Sequence, residues 1–245
     1  MKHGDFTELA KYYGNRPGYS PLVLQCLRNH IFQMVGEGKV ADIGAGTGKL
    51  TENLAELGIC GYAIEPNAAM RSEGQKAFEG KNSFVWSEGM AEQTGLGDDS
   101  VHWALMGSSF HWTDSKAAVK EFHRILVPGG FFTAIWNPRN IESSELHMRI
   151  EDAVYSEVPH MKRVSSGRTV TMEEMKEKLL AGGYFKNLIY AEAPHVEVMT
   201  KERYMNTWKS VNDIQVQAGE EGFLRILNKI ETSIRDMDEI KVPYR

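Results

Sequence analysis

Residues Val40–Thr51 read VADIGAGTGKLT, an apolar run that breaks into three closely spaced glycines and a lysine. A glycine loop between a buried strand and a helix usually holds a ligand, and each kind of ligand has its own spacing. A nucleoside-triphosphate loop needs a glycine five residues before Gly48 and a hydroxyl side chain after Lys49. Ile43 and Leu50 occupy those two positions. The spacing therefore argues against that loop, and Lys49 is interpreted as a solvated residue of the first helical turn.

The spacing also disfavours a dinucleotide-binding loop, because Gly44, Gly46 and Gly48 form G-x-G-x-G instead of G-x-G-x-x-G. Asp42 closes the strand before the loop, where a carboxylate disfavours a pyrophosphate but suits a ligand that carries an ammonium group. Glu65 closes the next predicted strand, 19 residues after Gly46. An acid at that point can accept hydrogen bonds from both hydroxyls of an adenosine ribose. Capping of the following helix is the alternative role for Glu65.

The 245-residue chain has 42% hydrophobic and 25% charged residues, values typical of a globular protein with a sizeable core. Its net charge of −5 argues against nucleic acid as a partner, because nucleic-acid binding normally needs a basic face. No apolar run is long enough to span a bilayer, so no membrane partner is expected. The first residues, MKHGDFTELAKYY, are too polar for a signal peptide, which predicts a cytoplasmic protein.

Apolar runs alternate with helical patterns along the first part of the chain. Strands are predicted at Lys39–Ile43, Gly61–Ile64, Ser83–Trp86, Val101–Met106 and Phe131–Trp136. Strands separated by helices imply right-handed parallel βαβ units and a doubly wound α/β sheet. Beyond Trp136 the pattern predicts helices, a long strand at 186–198 with a kink at Pro194, and a terminal edge strand at 240–244.

The ordered motifs D-I-G-A-G-T-G, the acid at Glu65 and GMAEQTGL before the fourth strand resemble those of class I S-adenosylmethionine-dependent methyltransferases. Two further stretches, NRPGYS at Asn15–Ser20 and SSFHWTD at Ser108–Asp114, resemble the type 11 small-molecule branch that includes trans-aconitate methyltransferase. The resemblance implies a Rossmann-like seven-stranded sheet of order 3-2-1-4-5-7-6, with strand 7 antiparallel and a helical cap.

The resemblance further implies one methyltransferase domain over 1–245. Within it, residues 1–36 would form an N-terminal helical lid, and 137–170 and 201–236 would form the cap. Whether the protein acts alone or as an oligomer does not follow from these motifs.

S-adenosylmethionine is the implied cofactor, with S-adenosylhomocysteine as the product and no metal. The residues that would contact it are Arg16, Asp42, Gly44, Gly46, Thr47, Glu65, Pro66, Met70, Met90, Ala91, Ser108 and Phe110. Asp42 would bind the amino group and Glu65 the ribose. Many relatives have aspartate where Met90 stands, so the backbone of Ala91 is the better candidate for an adenine contact. Phe110 is equally consistent with ordinary core packing.

Methyl transfer from a sulfonium mainly needs an aligned nucleophile. His111 follows the fourth strand, where α/β sheets place ligands, and is the candidate catalytic base. Packing against the cofactor, or capping of the turn at Asp114, is the alternative role for His111. Residues expected around the acceptor are Tyr12, Tyr19, Trp112 and Trp136, with His147 and Trp208 from the cap.

The sequence thus predicts a metal-independent methyltransferase for a small-molecule acceptor. Oxygen, including carboxylate oxygen, is favoured over nitrogen or carbon as the methylated atom. Two alternatives stay open, a non-catalytic adenosylmethionine-binding module and, with less support, a nicotinamide-dependent oxidoreductase.

Overall fold

The computed structural model describes residues 6–162 and 171–245. These residues form two compact units, each built from separate stretches of the chain. The sheet unit comprises residues 18–136 and 171–193, and the helical unit comprises residues 6–17, 137–162 and 194–245.

The α-helices are α1 (Ala10–Tyr13), α2 (Pro21–Val35), α3 (Lys49–Glu56), α4 (Ala68–Ala77), α5 (Ser115–Ile125), α6 (Glu145–Glu157), α7 (Met172–Leu179), α8 (Lys201–Lys209) and α9 (Asn212–Ser233). Short 3₁₀ helices lie at Phe110–Trp112, Ile141–Ser143 and Ala181–Gly183. The strands are β1 (Val40–Ile43), β2 (Gly61–Ile64), β3 (Phe84–Ser87), β4 (Val101–Gly107), β5 (Leu126–Ile135), β6 (His195–Thr200) and β7 (Glu239–Tyr244).

The sheet unit contains a parallel five-stranded sheet of order β3-β2-β1-β4-β5. This order confirms the predicted doubly wound arrangement for the first five strands. β5 begins at Leu126, earlier than the predicted start at Phe131, because Leu126 already pairs with Val101. The register then shifts, and Trp103 pairs with Phe131, so the four residues 127–130 lie opposite His102 alone, and the ladder is irregular there.

Helices cover both faces of this sheet, as a parallel sheet requires. One cluster packs Leu24 and Ile31 of α2 and Leu54 of α3 with Trp103. The other cluster packs residues of α5, including Phe122, with Ala41, Ile43 and Ala104 of the sheet, among others. All four residues of β1 are buried, which leaves the loop at its carboxyl end as the place where the strand can meet a ligand.

The helical unit has its own core, formed by α6, α8 and α9 with one face of an antiparallel β6–β7 pair. Met199 on β6 and Ile240, Val242 and Tyr244 on β7 are buried in this core. α9 is interrupted at Gly219, whose φ of 67° is left-handed, so its two parts do not form one continuous helix.

The predicted seven-stranded sheet is therefore wrong in its last two strands, because β6 and β7 form a separate two-stranded sheet. The long strand predicted at 186–198 is also wrong, since strand structure begins only at His195. Asn187 has a left-handed φ of 58°, which breaks an extended run, and Pro194 lacks a backbone N–H for a sheet ladder. The terminal edge strand is confirmed as β7.

Candidate functional site

The glycine loop after β1 adopts a backbone that other residues rarely take. Gly44, Gly46 and Gly48 have φ values of 69°, 60° and 90°, in the left-handed region that glycine enters without steric cost. A Cβ atom on Gly44 would lie 2.9 Å from the Oγ of Ser109, and one on Gly46 would lie 3.3 Å from the Cε of Met70. The loop therefore needs glycine for both conformation and space.

Glu65 connects this loop with the turn after β2. Its Oε2 accepts from the backbone N–H of Gly46 at 2.8 Å, and its Oε1 accepts from the N–H of Asn67 at 2.9 Å. Burial raises the pKa of Glu65, while these two backbone hydrogen bonds and the charge of Arg71 oppose that rise. The Glu65 carboxylate is thus fixed at the carboxyl end of the sheet, beside the glycine loop.

Asp42 is fully buried at the end of β1. Its Oδ2 accepts from Thr51 Oγ1 at 2.6 Å, whereas its Oδ1 has no hydrogen-bond partner among the described residues. Burial raises the pKa of Asp42 to about 7, the Thr51 hydrogen bond opposes this, and the charge of Glu65 adds to it. A buried carboxylate oxygen without a partner is costly, so Asp42 is suited to a cationic ligand that would use this oxygen. Thr47, in the loop itself, is also buried.

The residues predicted at the adenine differ in exposure. Met70 is buried next to Gly46, and its position follows from the cap of α4, where Asn67 Oδ1 accepts from the N–H groups of Ala69 and Met70. Pro66 is exposed.

Farther along, the side chain of Met90 is 53% exposed, whereas Ala91 is buried. Met90 and Gln93 exchange backbone hydrogen bonds across a tight turn, so the backbone N–H of Met90 is engaged within that turn.

The segment after β4 lies next to the glycine loop. Ser109 Oγ donates to the carbonyl of Ile43 at 3.3 Å. Ser108 has a φ of 53°, a left-handed conformation uncommon for serine, and its Oγ accepts from Tyr19 Oη at 3.1 Å. Phe110 is fully buried against Phe132, with ring centroids 5.3 Å apart, so its surroundings match the core-packing alternative.

His111 is half-buried in the 3₁₀ helix that follows. Its Nδ1 accepts from Trp136 Nε1 at 3.4 Å, and its Nε2 is buried without a partner among the described residues. Burial, with the charge of Lys178 as a smaller cause, lowers the pKa of His111, so its ring is neutral near pH 7. Trp112 is 43% exposed, and its ring centroid is 5.0 Å from that of His111.

Tyr12 and Arg16 belong to the helical unit, where contacts within that unit hold them. Arg16 Nε donates to Ser210 Oγ at 2.8 Å, and Arg16 Nη2 donates to the Ser210 carbonyl at 2.9 Å. Its guanidinium also lies 4.1 Å from the centroid of the Tyr13 ring. Tyr12 has the ammonium groups of Lys11 and Lys209 at 5.0 and 5.8 Å from its ring centroid. These contacts give Arg16 a structural role independent of any ligand.

Three residues of the site, Thr51, Ser109 and Arg71, make contacts that no sequence motif would identify. Thr51 meets Asp42 only because the loop folds back, and Ser109 reaches Ile43 only across neighbouring strands. Arg71 donates to the backbone carbonyl of Glu65 at 2.6 Å and pairs with Glu88 at 2.9 Å. Contacts of this kind have no fixed spacing in a sequence.

In the described part of the chain, no group of three or more acidic, histidine or cysteine side chains is arranged to hold a metal ion. No helix among residues 6–162 and 171–245 is both long and apolar enough to cross a membrane.

Comparison with known proteins agrees with this geometry. Residues 41–134 match the family model of the methyltransferase domain. A relative from Schizosaccharomyces pombe, named as an uncharacterized methyltransferase, is 27% identical over 97% of this chain and 91% of its own length. An uncharacterized methyltransferase of Mycobacterium tuberculosis is 34% identical to this chain. The match covers 55% of this chain and 52%, or about half, of the relative.

A solved structure from Anaeromyxobacter dehalogenans, assigned as a type II methyltransferase, superposes with a TM-score of 0.64. The match covers 94% of each chain at 19% identity, so it supports the fold alone. The matched domain and the named relatives make the chain similar to S-adenosylmethionine-dependent methyltransferases, and the solved structure agrees with them in fold.

Proposed function

We propose that this protein methylates an oxygen atom of a small-molecule acceptor, using S-adenosylmethionine and no metal. The observation that carries the cofactor half of the proposal is a pair of buried acids at the glycine loop, Asp42 just before it and Glu65 hydrogen-bonded to Gly46 within it. The small-molecule acceptor rests on the motif resemblance at Asn15–Ser20 and Ser108–Asp114.

The residues around the loop are suited to this cofactor. Oδ1 of Asp42 is buried and without a partner among the described residues, so it would accept from the cofactor's amino group. Because Gly44 and Gly46 carry no side chain, the loop backbone would be open to close approach by the ligand. When bound, S-adenosylmethionine supplies an electrophilic methyl group.

Glu65 is suited to the ribose hydroxyls. Each oxygen of the carboxylate accepts one backbone N–H, and a carboxylate oxygen can accept more than one hydrogen bond. Both oxygens therefore keep acceptor capacity for a hydroxyl. Arg71 donates to the Glu65 carbonyl, which would hold the backbone in place while the side chain binds.

His111 is better suited to orient the acceptor than to remove its proton. Trp136 donates to Nδ1 of His111, so the proton of the neutral ring would sit on Nε2. An Nε2–H group is a hydrogen-bond donor, and it would bind an acceptor oxygen while leaving a lone pair of that oxygen for the attack. An acceptor that is already ionised needs no base, which agrees with a carboxylate or another acidic hydroxyl as the methylated group.

The two alternatives make different predictions. A non-catalytic module would bind S-adenosylhomocysteine but transfer no methyl group, and a nicotinamide-dependent oxidoreductase would bind NADH. The glycine spacing and Asp42 before the loop disfavour the latter.

The proposal is tested by incubating the protein with S-adenosylmethionine carrying a labelled methyl group and a panel of small acids, alcohols and amines. Label should appear in an oxygen ester or ether. His111→Gln, which keeps a side-chain N–H donor, should retain more of kcat/KM than His111→Ala, and the exposed His160→Gln should match the wild type. No transfer to any acceptor contradicts the proposed activity. Equal loss in both His111 variants, with loss of the acid limb of the pH–rate profile, would assign His111 as the base instead.

A further inference from the structure

The loop between β3 and β4, residues 88–100, is held against α5 by a group of side chains, called here the Glu121 network, formed by Glu121, Arg124, Thr94 and Asp98. Oε1 of Glu121 accepts from the backbone N–H of Thr94 at 2.8 Å and from Thr94 Oγ1 at 2.6 Å. Arg124 Nε donates to Glu121 Oε2 at 2.8 Å, and Arg124 Nη2 donates to Oε1 at 2.7 Å. One carboxylate therefore joins the loop to α5.

Arg124 adds two direct contacts to the same loop. Its Nη2 donates to the carbonyl of Leu96 at 2.8 Å, and its Nη1 donates to Asp98 Oδ1 at 2.6 Å. Thr94 Oγ1 in turn accepts from the N–H of Leu96 at 3.3 Å. The Glu121 network thus holds the second half of the loop at three successive points.

The charge of Glu121 strengthens these contacts. Thr94 is buried, and little of the Glu121 side chain is exposed. Burial opposes ionisation of Glu121, but the hydrogen bonds from Arg124 and Thr94 outweigh burial and lower the pKa of Glu121 to about 2. The carboxylate is therefore charged near neutral pH, and hydrogen bonds to a charged acceptor are about twice as strong as neutral ones.

The β3–β4 loop also borders the proposed ribose ligand. A Cβ atom on Gly89 would lie 2.7 Å from Ile64 Cγ2 and 2.7 Å from the carbonyl oxygen of Thr94. Ala91 is buried in the same cluster as Ile64, which is the residue before Glu65. The residue that Glu121 holds and the residue before the ribose ligand thus meet at the same glycine.

The base of the cofactor would lie next to this loop. With the ribose on Glu65 and the methionine half on the glycine loop, the base extends away from the glycine loop, because it is attached to the opposite side of the ribose. The segments that border Glu65 would therefore surround the base. Met90 and Gln93 exchange backbone hydrogen bonds across a tight turn, and Thr94, the next residue, is the one that Glu121 holds.

We infer that Glu121 is a positioning residue that holds the β3–β4 loop in the shape that recognises the adenine of the cofactor. Glu121 acts through Thr94 and Arg124 and does not itself contact the cofactor. A loop that is already ordered loses less conformational freedom when a ligand binds. The inference rests on the proposed function, because the ligand is the cofactor proposed there.

The test is titration calorimetry of the full-length protein with S-adenosylhomocysteine and with S-inosylhomocysteine, whose base carries a carbonyl oxygen where adenine carries an amino group. The wild type should bind S-adenosylhomocysteine about tenfold or more tightly than the inosyl analogue. In Glu121→Ala and in Thr94→Val this preference should fall severalfold. Glu121→Gln, which keeps a carbonyl oxygen for Thr94, should retain more of the preference than Glu121→Ala.

The preference between the two ligands separates positioning from a general loss of stability, because a smaller folded fraction would weaken both ligands equally. Glu157→Ala is the matched control. Glu157 pairs with Arg225 at 2.8 Å and with Lys229 at 2.6 Å in the helical unit, so its loss removes a similar ion pair far along the chain from the loop. This variant should bind both ligands like the wild type.

Equal binding of the two ligands by the wild type, an unchanged preference in Glu121→Ala and Thr94→Val, or the same loss in Glu157→Ala would overturn the inference. If Glu121→Ala does not fold, Glu121→Gln and Thr94→Val decide the result. Failure of the wild type to bind S-adenosylhomocysteine would contradict the proposed function itself. If that ligand binds and the variants keep the wild-type preference, only the positioning role is lost.

Discussion

Glu65 holds the glycine loop through Gly46 and is also the proposed ribose ligand. Its replacement should therefore weaken binding of the cofactor. Glu65→Ala should weaken S-adenosylhomocysteine binding by about tenfold or more, because hydrogen bonds to a charged acceptor are lost. Titration calorimetry measures this directly. The exposed Glu79→Ala is the matched control and should bind like the wild type. If Glu65→Ala binds S-adenosylhomocysteine with a Kd within about twofold of the wild-type value, Glu65 is not a ligand of the cofactor.

Asp42 should make stability depend on pH. Its pKa is raised from 3.8 to about 7, so the folded protein holds this proton more tightly than the unfolded chain does. Its contribution to the free energy of unfolding therefore falls as the pH rises from about 4 to about 7. Asp42→Asn, which cannot ionise, should be more stable than the wild type near pH ~8, and this difference should shrink near pH ~4.

Thermal unfolding of both proteins across this pH range measures the effect of Asp42. If the difference in unfolding temperature between the two proteins stays the same from about pH 4 to about pH 8, Asp42 is ionised over that whole range.

At the scale of the element, alanine substitutions at Gly44, in the loop between β1 and α3, and at Gly58 distinguish the effect of backbone strain from that of a steric clash. Gly44 and Gly58 both have left-handed φ values, 69° and 73°, so an alanine at either position should cost about 1–2 kcal/mol of stability. A Cβ on Gly44 would meet the Ser109 side chain, whereas a Cβ on Gly58 would have nothing within 4 Å. Only Gly44→Ala should also lose S-adenosylhomocysteine binding.

Chemical denaturation with calorimetry distinguishes these two effects. Equal binding by Gly44→Ala and Gly58→Ala would mean that the contact between residue 44 and Ser109 does not affect the cofactor site.

Local signals predicted the elements that have local causes. Ser20 and Pro21 begin α2, and Asn67 caps α4, each as expected from the sequence. The alternation of strands and helices predicted the order of the first five strands, because short parallel connections leave few arrangements. The early start of β5 was not predictable, since Leu126 pairs with Val101 only across an irregularity that no residue pattern specifies.

At the scale of the whole molecule, the last two strands show the limit of resemblance and pattern. Residues 186–194 have the apolar composition of a strand, yet the left-handed Asn187 and Pro194 interrupt it, and β6 pairs with β7 alone. The site follows the same rule. Asp42, Glu65 and the glycines were predictable because each lies at or just after the end of a strand, whereas Thr51 and Arg71 join the site through contacts between residues that have no fixed spacing.

The most direct test of the account is titration calorimetry of the full-length protein with S-adenosylhomocysteine and, separately, with NADH. The buried acids beside the glycine loop predict saturable binding of S-adenosylhomocysteine with a Kd of about 1 μM, near −8 kcal/mol, and no binding of NADH. Failure of S-adenosylhomocysteine to bind, or binding of NADH at the same site, would contradict the account.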